Sequence, residues 1–97
     1  MEKFMVVCTF TSGTDMAEVM GVVAQEQEKV KELTSAGKIG ALFLATRERG
    51  TVFLEVIAAD SDDARQTVLS LPMSKWWDLD FYPLNAPVAR EESADKS

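Results

Sequence analysis

Glu26 stands in the stretch VVAQEQEKVKEL, residues 22–33, three residues after Val23 and four before Val30. That spacing sets a carboxylate on the flank of an apolar helical stripe. A carboxyl group held beside apolar neighbours has its neutral form favoured and its pKa raised. Poised in that way it can take a proton from carbon and later return it. The alternative is a solvated helix edge whose stem lies along the core. Glu55 interrupts the apolar run TVFLEVIA, on one face with Phe53 and Ile57. A charge in mid-sheet is costly unless paired or wet. It either pairs, with Lys3 or with an Arg across a subunit contact, or faces a pocket and touches substrate. Trp76, Asp78, Asp80 and Tyr82 alternate along WWDLDFYPL and fall on one face of a strand. Aromatic walls suit flat ring compounds, although cores and interfaces use aromatics as well. Tyr82 offers an O–H to a developing enolate oxygen. Asp78 and Asp80 read either as an acid/base or metal-binding pair or as the wet end of a strand.

Several classes of chemistry are excluded by what the chain lacks. It has 97 residues, no histidine and one cysteine, Cys8. That rules out Ser-His-Asp and Cys-His catalysis, a His-ligated haem and a His- or Cys-based zinc site. Carboxylates alone can hold Mg²⁺ or Ca²⁺, but no EF-hand-like loop is present, so no metal site is expected. A lone glycine at Gly13 is no phosphate loop, and nucleotide binding has no support. The formal net charge is −6 with no cluster of Lys and Arg, which argues against nucleic acid and anionic membranes as partners. No apolar run approaches the roughly 20 residues of a membrane span. The segment MEKFMVVCTF reads as a strand rather than a signal peptide, and the unpaired thiol fits a cytoplasmic protein. Cys8 itself reads as buried and inert.

The elements that must position these residues follow from the pattern of apolar positions and turn residues. Residues 3–10 form a strand. Thr14 or Asp15 caps a helix running to about Ala36, with Met16, Val19, Met20, Val23, Val30 and Leu33 as its stripe. Met5, Met16 and Met20 read as core filler. Gly37 stops the helix. Strands follow at 38–45 and 51–58, joined by the polar turn TRERG as a hairpin. DSDD caps a helix at about 61–70, which Pro72 ends, and WWDLDFYPL is a fourth strand ended by Pro83. The order βαββαβ is the ferredoxin-like α+β arrangement: a four-stranded antiparallel sheet with two helices on one face. Residues 1–87 make one domain and 88–97 a polar tail, frayed or reaching onto a neighbouring subunit. Two helices cover one sheet face only, yet the strands are apolar on both. Phe4, Val6 and Cys8 alternate with Met5 and Val7. Ile39, Ala41 and Phe43 alternate with Leu42 and Leu44, and Val52, Leu54 and Val56 with Phe53 and Ile57. The uncovered face needs a second copy, so a homodimer or higher homo-oligomer is expected.

With these residues in place, the chain resembles the muconolactone isomerase family, small members of the dimeric α+β barrel superfamily. The resemblance spans about residues 3–85. It is carried by Ala24-Gln25-Glu26-Gln27-Glu28 with the same spacing on to Leu33 and Gly37. It is carried also by Leu71-Pro72 followed by an aromatic strand with Asp78 and Asp80. The resemblance implies a cofactor-free pocket between helix and sheet, in which a carboxylate at the position of Glu26 moves a proton next to a lactone carbonyl. Trp76, Phe43 and Tyr82 would shape that pocket. The chain departs from the family in its second strand. The basic and imidazole side chains held there in the family give way to the uncharged IGALFLA, which suits a neutral or more hydrophobic cyclic substrate, aromatic or polyketide-like. Two other functions fit the same resemblance: cofactor-free oxygenation of a quinol-like ring, and a non-catalytic small-molecule-binding or structural oligomer.

Overall fold

The computed structural model describes residues 1–85. The expected 88–97 tail therefore lies outside the described residues. Strand β1 (Glu2–Phe10) is followed by two consecutive helices, α1 (Met16–Met20) and α2 (Val23–Ser35). Then come β2 (Ile39–Ala45), β3 (Thr51–Ala58), α3 (Ser61–Leu69), a 3-10 helix (Pro72–Trp76) and β4 (Trp77–Leu84). The four strands pair antiparallel in the order β2-β3-β1-β4, which is the ferredoxin-like topology expected. No helix among the described residues is long and apolar enough to cross a membrane.

Local chemistry sets the element boundaries. Asp15 is the α1 cap, its Oδ1 accepting from the Ala17 amide at 2.9 Å, while Thr14 Oγ1 instead donates to the Thr11 carbonyl at 2.7 Å. At the end of α2, Gly37 adopts φ +77°. Lys38 N then reaches the Leu33 carbonyl (2.9 Å) and Gly37 N the Thr34 carbonyl (3.0 Å), the two bonds of a Schellman cap. Asp60 and Asp63 cap α3 reciprocally. Asp63 N donates to Asp60 Oδ1 (2.8 Å) and Ala59 N donates to Asp63 Oδ2 (2.9 Å).

One long first helix was the sequence expectation, and the chain breaks it at Gly21-Val22. Val22 sits at φ −115°, ψ 11°, outside the helical range. A glycine followed by two β-branched valines is a weak stretch of helix, which is where the turn gives way. As a result α1 sends only Val19 into the core; Met16 and Met20 are exposed and are not core filler. The break also places Glu26 in the first turn of α2 rather than in mid-helix.

The core lies between the helices and one sheet face. Phe4, Val6, Cys8, Leu54, Val56, Ala58, Ala64, Val68 and Leu71 are nearly or fully buried there, with Leu33, Ile39 and Trp77. On the opposite face Met5, Val7, Phe53 and Ile57 are only half covered. The strand β4 continues through Pro83, contrary to the expectation that this proline ends it. β4 is an edge strand, where a missing ladder N–H is tolerated.

The faces of β2 differ from strict alternation. Ile39 pairs with Val56 and Leu42 with Leu54, so Gly40 and Ala41 together oppose the single residue Glu55. This is a β-bulge. It turns Leu42 and Leu44 to the same side as Ile39 and leaves Phe43 on the other, where it pairs with Phe53. The bulge also explains the charge in mid-strand. Glu55 Oε1 accepts from the Ala41 amide at 2.9 Å, and Oε2 lies 3.6 Å from Lys3 Nζ. A Cβ at Gly40 would collide with the Glu55 carboxylate, so glycine is what lets that side chain fold over the bulge. Lys3 is largely exposed, and its ion pair contributes little beside the amide bond. The substitution G40A should therefore cost about 1 kcal/mol in the wild-type background, by displacing Glu55, and close to nothing in an E55A background. Denaturant melts of the four proteins check this; equal costs in both backgrounds would contradict the plug.

Candidate active site

Glu26 is half-buried on the helix-covered side of the sheet. Its amide donates to the Val22 carbonyl at 2.8 Å, which seats it in the first α2 turn. Its Oε1 accepts a 2.9 Å hydrogen bond from the amide of Met73, 47 residues later in the chain. That amide is free because of local sequence. Pro72 is the first residue of the 3-10 helix and Met73 the second, and the leading amides of a helical turn have no partner within it. The Leu71-Pro72 step thus ends α3, restarts the chain as a tighter turn, and presents one N–H to the carboxylate. Among the described residues, Oε2 of Glu26 has no hydrogen-bond partner.

Two opposed effects act on this carboxyl group. Burial raises its pKa above the ordinary value, and the Met73 amide lowers it by a smaller amount, so the result is upward. Cys8, fully buried on β1, shares the neighbourhood. Its thiol is pushed up to about 12, first by burial and then by the nearby negative charge of Glu26. At neutral pH it is a neutral thiol and no nucleophile. The arrangement is one acid group of adjustable protonation with one oxygen anchored and the other available, above an apolar strand. It can carry a proton. Among the described residues no group of three or more His, Cys, Asp or Glu is placed to hold a metal.

The other residues singled out from sequence do not gather around Glu26 within one chain. Tyr82 pairs with Met5, next to the Phe81–Val6 pair whose side chains face the core, so Tyr82 points to the opposite sheet face and is 54% exposed. Asp78 is on that far face as well, opposite Thr9. So are Phe43 and Glu55, and both oxygens of Glu55 are engaged by Ala41 and Lys3. Strand alternation thus sets Tyr82, Asp78 and Phe43 on the sheet face away from Glu26, not around it, and Glu55 makes the pair with Lys3 that was one of its two readings.

Trp76 is not on the fourth strand at all. It closes the 3-10 helix, with Lys75 Nζ 4.6 Å from its ring centre. The first strand residue is Trp77, which turns inward and stacks edge-on against Phe10 at 6.1 Å. The sequence reading missed Met73, whose contribution is a backbone amide and leaves no side-chain signal. The one available hint was proline at 72, read as a stop when it is also a start. Two depressions open on the surface, one at the 44–49 hairpin and one along the outer side of α2 beside Pro72, and Glu26 lines neither.

Comparison with known proteins agrees with this fold. A crystal structure of muconolactone isomerase superposes with a TM-score of 0.71 over 90% of this chain and 93% of that one, at 19% sequence identity. No curated protein sequence matches the chain. The family model described as muconolactone delta-isomerase matches residues 3–88. A match of that extent, over a chain that also has the family's fold, places the protein in the muconolactone delta-isomerase family.

Proposed function

We propose that the protein is a cofactor-independent isomerase that moves a proton within a small cyclic carbonyl compound, of lactone, aromatic or polyketide-like type, with Glu26 as the proton carrier. The observation that carries this reading is the half-dry carboxyl group of Glu26, bonded at one oxygen only. In the reaction, Oε2 takes a proton from carbon next to the carbonyl. The C–H electron pair moves into an enolate, and the same proton returns to a different carbon of the conjugated system. No electrons leave the substrate, so no redox partner is required. The Met73 amide keeps the carboxylate oriented through both transfers. The neutral Cys8 thiol does not compete for the proton. The uncharged β2 strand supports a neutral substrate over an anionic one.

The far sheet face supports a second part of the reading. Phe43 is 58% and Tyr82 54% exposed there, beside half-covered Met5, Val7, Phe53 and Ile57. A face so apolar is best covered by a second copy of the chain, at roughly 25 cal/mol per Å² of apolar area removed from water. On this reading Phe43, Tyr82 and Asp78 serve the subunit contact rather than Glu26's own substrate. Glu55, engaged with Ala41 and Lys3, shares that face. A compartment that keeps thiols reduced, such as the cytoplasm, fits the single free cysteine.

Four outcomes test these statements. E26Q keeps an oxygen for the Met73 amide but cannot take a proton. It should lower the rate of deuterium incorporation next to the carbonyl of muconolactone, or of a neutral butenolide, by about 10²–10⁴-fold. Full exchange in that variant would end the assignment.

For wild type, kcat/KM should rise with pH along an acid limb lying above the ordinary carboxylate value of 4.5, since the base must be ionised. The same shift has a stability consequence. A carboxyl group with a raised folded-state pKa penalises the fold as pH climbs from its unfolded value through its folded one. E26Q should therefore melt higher than wild type near neutral pH and lose that advantage below the ordinary carboxylate range. A pH-independent difference in melting temperature would contradict it.

V7K places a charge in the centre of the far face and should convert a sedimenting dimer to a monomer. A wild-type protein that already sediments as a monomer would remove the second copy from the account.

A further inference from the structure

We propose that the indole N–H of Trp77 is the hydrogen-bond donor to the carbonyl oxygen of the compound on which Glu26 acts, an inference that rests on Glu26 being the proton carrier. Trp77 is 8% exposed, and its Nε1 is buried with no hydrogen-bond partner among the described residues. Buried indole N–H groups ordinarily find an acceptor, and an orphan one calls for a reason. Every other buried side-chain nitrogen or oxygen among the described residues is satisfied, which sets this one apart.

Its place in the fold supplies the reason. Trp77 is the first residue of β4 and follows directly on the 3-10 helix whose second residue, Met73, donates to Glu26. It pairs with Phe10 on β1, one step along the covered face from the Cys8–Leu79 pair, and Cys8 feels the charge of Glu26. The unpaired donor and the half-free carboxylate therefore belong to the same layer, between α2, the 3-10 helix and β1. Met73 packs against the core cluster that includes Trp77.

Enolisation needs both kinds of group. As the C–H bond breaks and an O–H bond forms on Glu26, the electron pair shifts to the carbonyl oxygen, which gains negative charge. A fixed N–H donor at that oxygen stabilises the charge, and it does so without adding a second titratable group. When the proton returns to carbon, the pair leaves the oxygen and the carbonyl reforms. An indole N–H brings no positive charge, so a carboxylate buried against it would lose its hydration without a counter-charge, a cost that a neutral carbonyl does not carry. That agrees with the absence of charge on β2. The expected ligand is thus a cyclic ketone, quinone-like ring or lactone whose ring carbonyl, not a side-chain acid, is the recognised group.

The chain has two tryptophans, so a ¹⁵N-labelled sample gives two indole cross-peaks, which W76F assigns. Muconolactone and a neutral butenolide are added in turn at millimolar concentration. The Trp77 indole proton should move downfield with at least one of them, in wild type and in E26Q alike, and W77F should lose turnover by about 10²-fold. A Trp77 peak that moves with neither probe overturns the inference, and this result comes from wild-type protein, so it stands even if W77F fails to fold. The two assignments separate cleanly. An inactive E26Q with an unmoved Trp77 peak removes the donor and keeps the base. A fully active E26Q with a moved peak removes the base and leaves Trp77 as a ligand contact.

Discussion

The bond from the Met73 amide to Glu26 Oε1 joins two segments that otherwise meet only through apolar packing on a shared core. One is the first turn of a helix that begins only because Gly21-Val22 interrupts the chain. The other is a 3-10 turn that begins only because Pro72 ends α3. A carboxylate on an apolar helix flank is expensive to dehydrate, and one amide bond offsets part of that cost without removing it. Full satisfaction would have pulled the group's pKa down and left an inert anchor. A carboxyl with no bond at all would turn toward water. The intermediate state, one oxygen held and the balance still upward, is the condition in which a carboxylic acid exchanges protons readily.

The sheet beneath does two jobs with its two sides. The covered side supplies the dry surroundings: Cys8 sits beneath Glu26's charge and stays neutral, and Trp77 closes the same layer. The far side carries most of the polar residues that looked like site components in one dimension. Glu55 shows how such a residue finds a structural use. It takes over the amide that the Gly40-Ala41 bulge withdraws from the ladder, and so lets an edge strand bend while keeping its backbone satisfied.

Much of this was legible before any coordinates. The strands, the caps at Asp15 and Asp60, the stop at Gly37 and the ferredoxin-like order all follow from short-range rules that tertiary packing did not overrule. The place of Glu26 on the flank of the helix was legible too, because its spacing from Val23 and Val30 survives the helix break. What was not legible depends on single-residue register. A bulge shifts a period-of-two pattern by one, so Ile39 lands with Leu42 and Leu44 rather than with Phe43. Adjacent tryptophans differ in fate by where the strand starts, which put Trp77 rather than Trp76 against the core. Tyr82 was assigned a role beside Glu26 by chemistry alone, and strand alternation sends it to the other face. Met73 contributes a backbone atom, and no side-chain pattern announces that.

The account stands on the protonation behaviour of one side chain, which can be read without a substrate. Titrating the Glu26 carboxyl carbon by ¹³C NMR, with E26Q used to assign the resonance, measures it directly. The structure requires a midpoint above 4.5, the ordinary value for a glutamate. A midpoint at or below that value would mean the group is solvated or fully bonded, and the proposed proton carrier would be an ordinary surface acid.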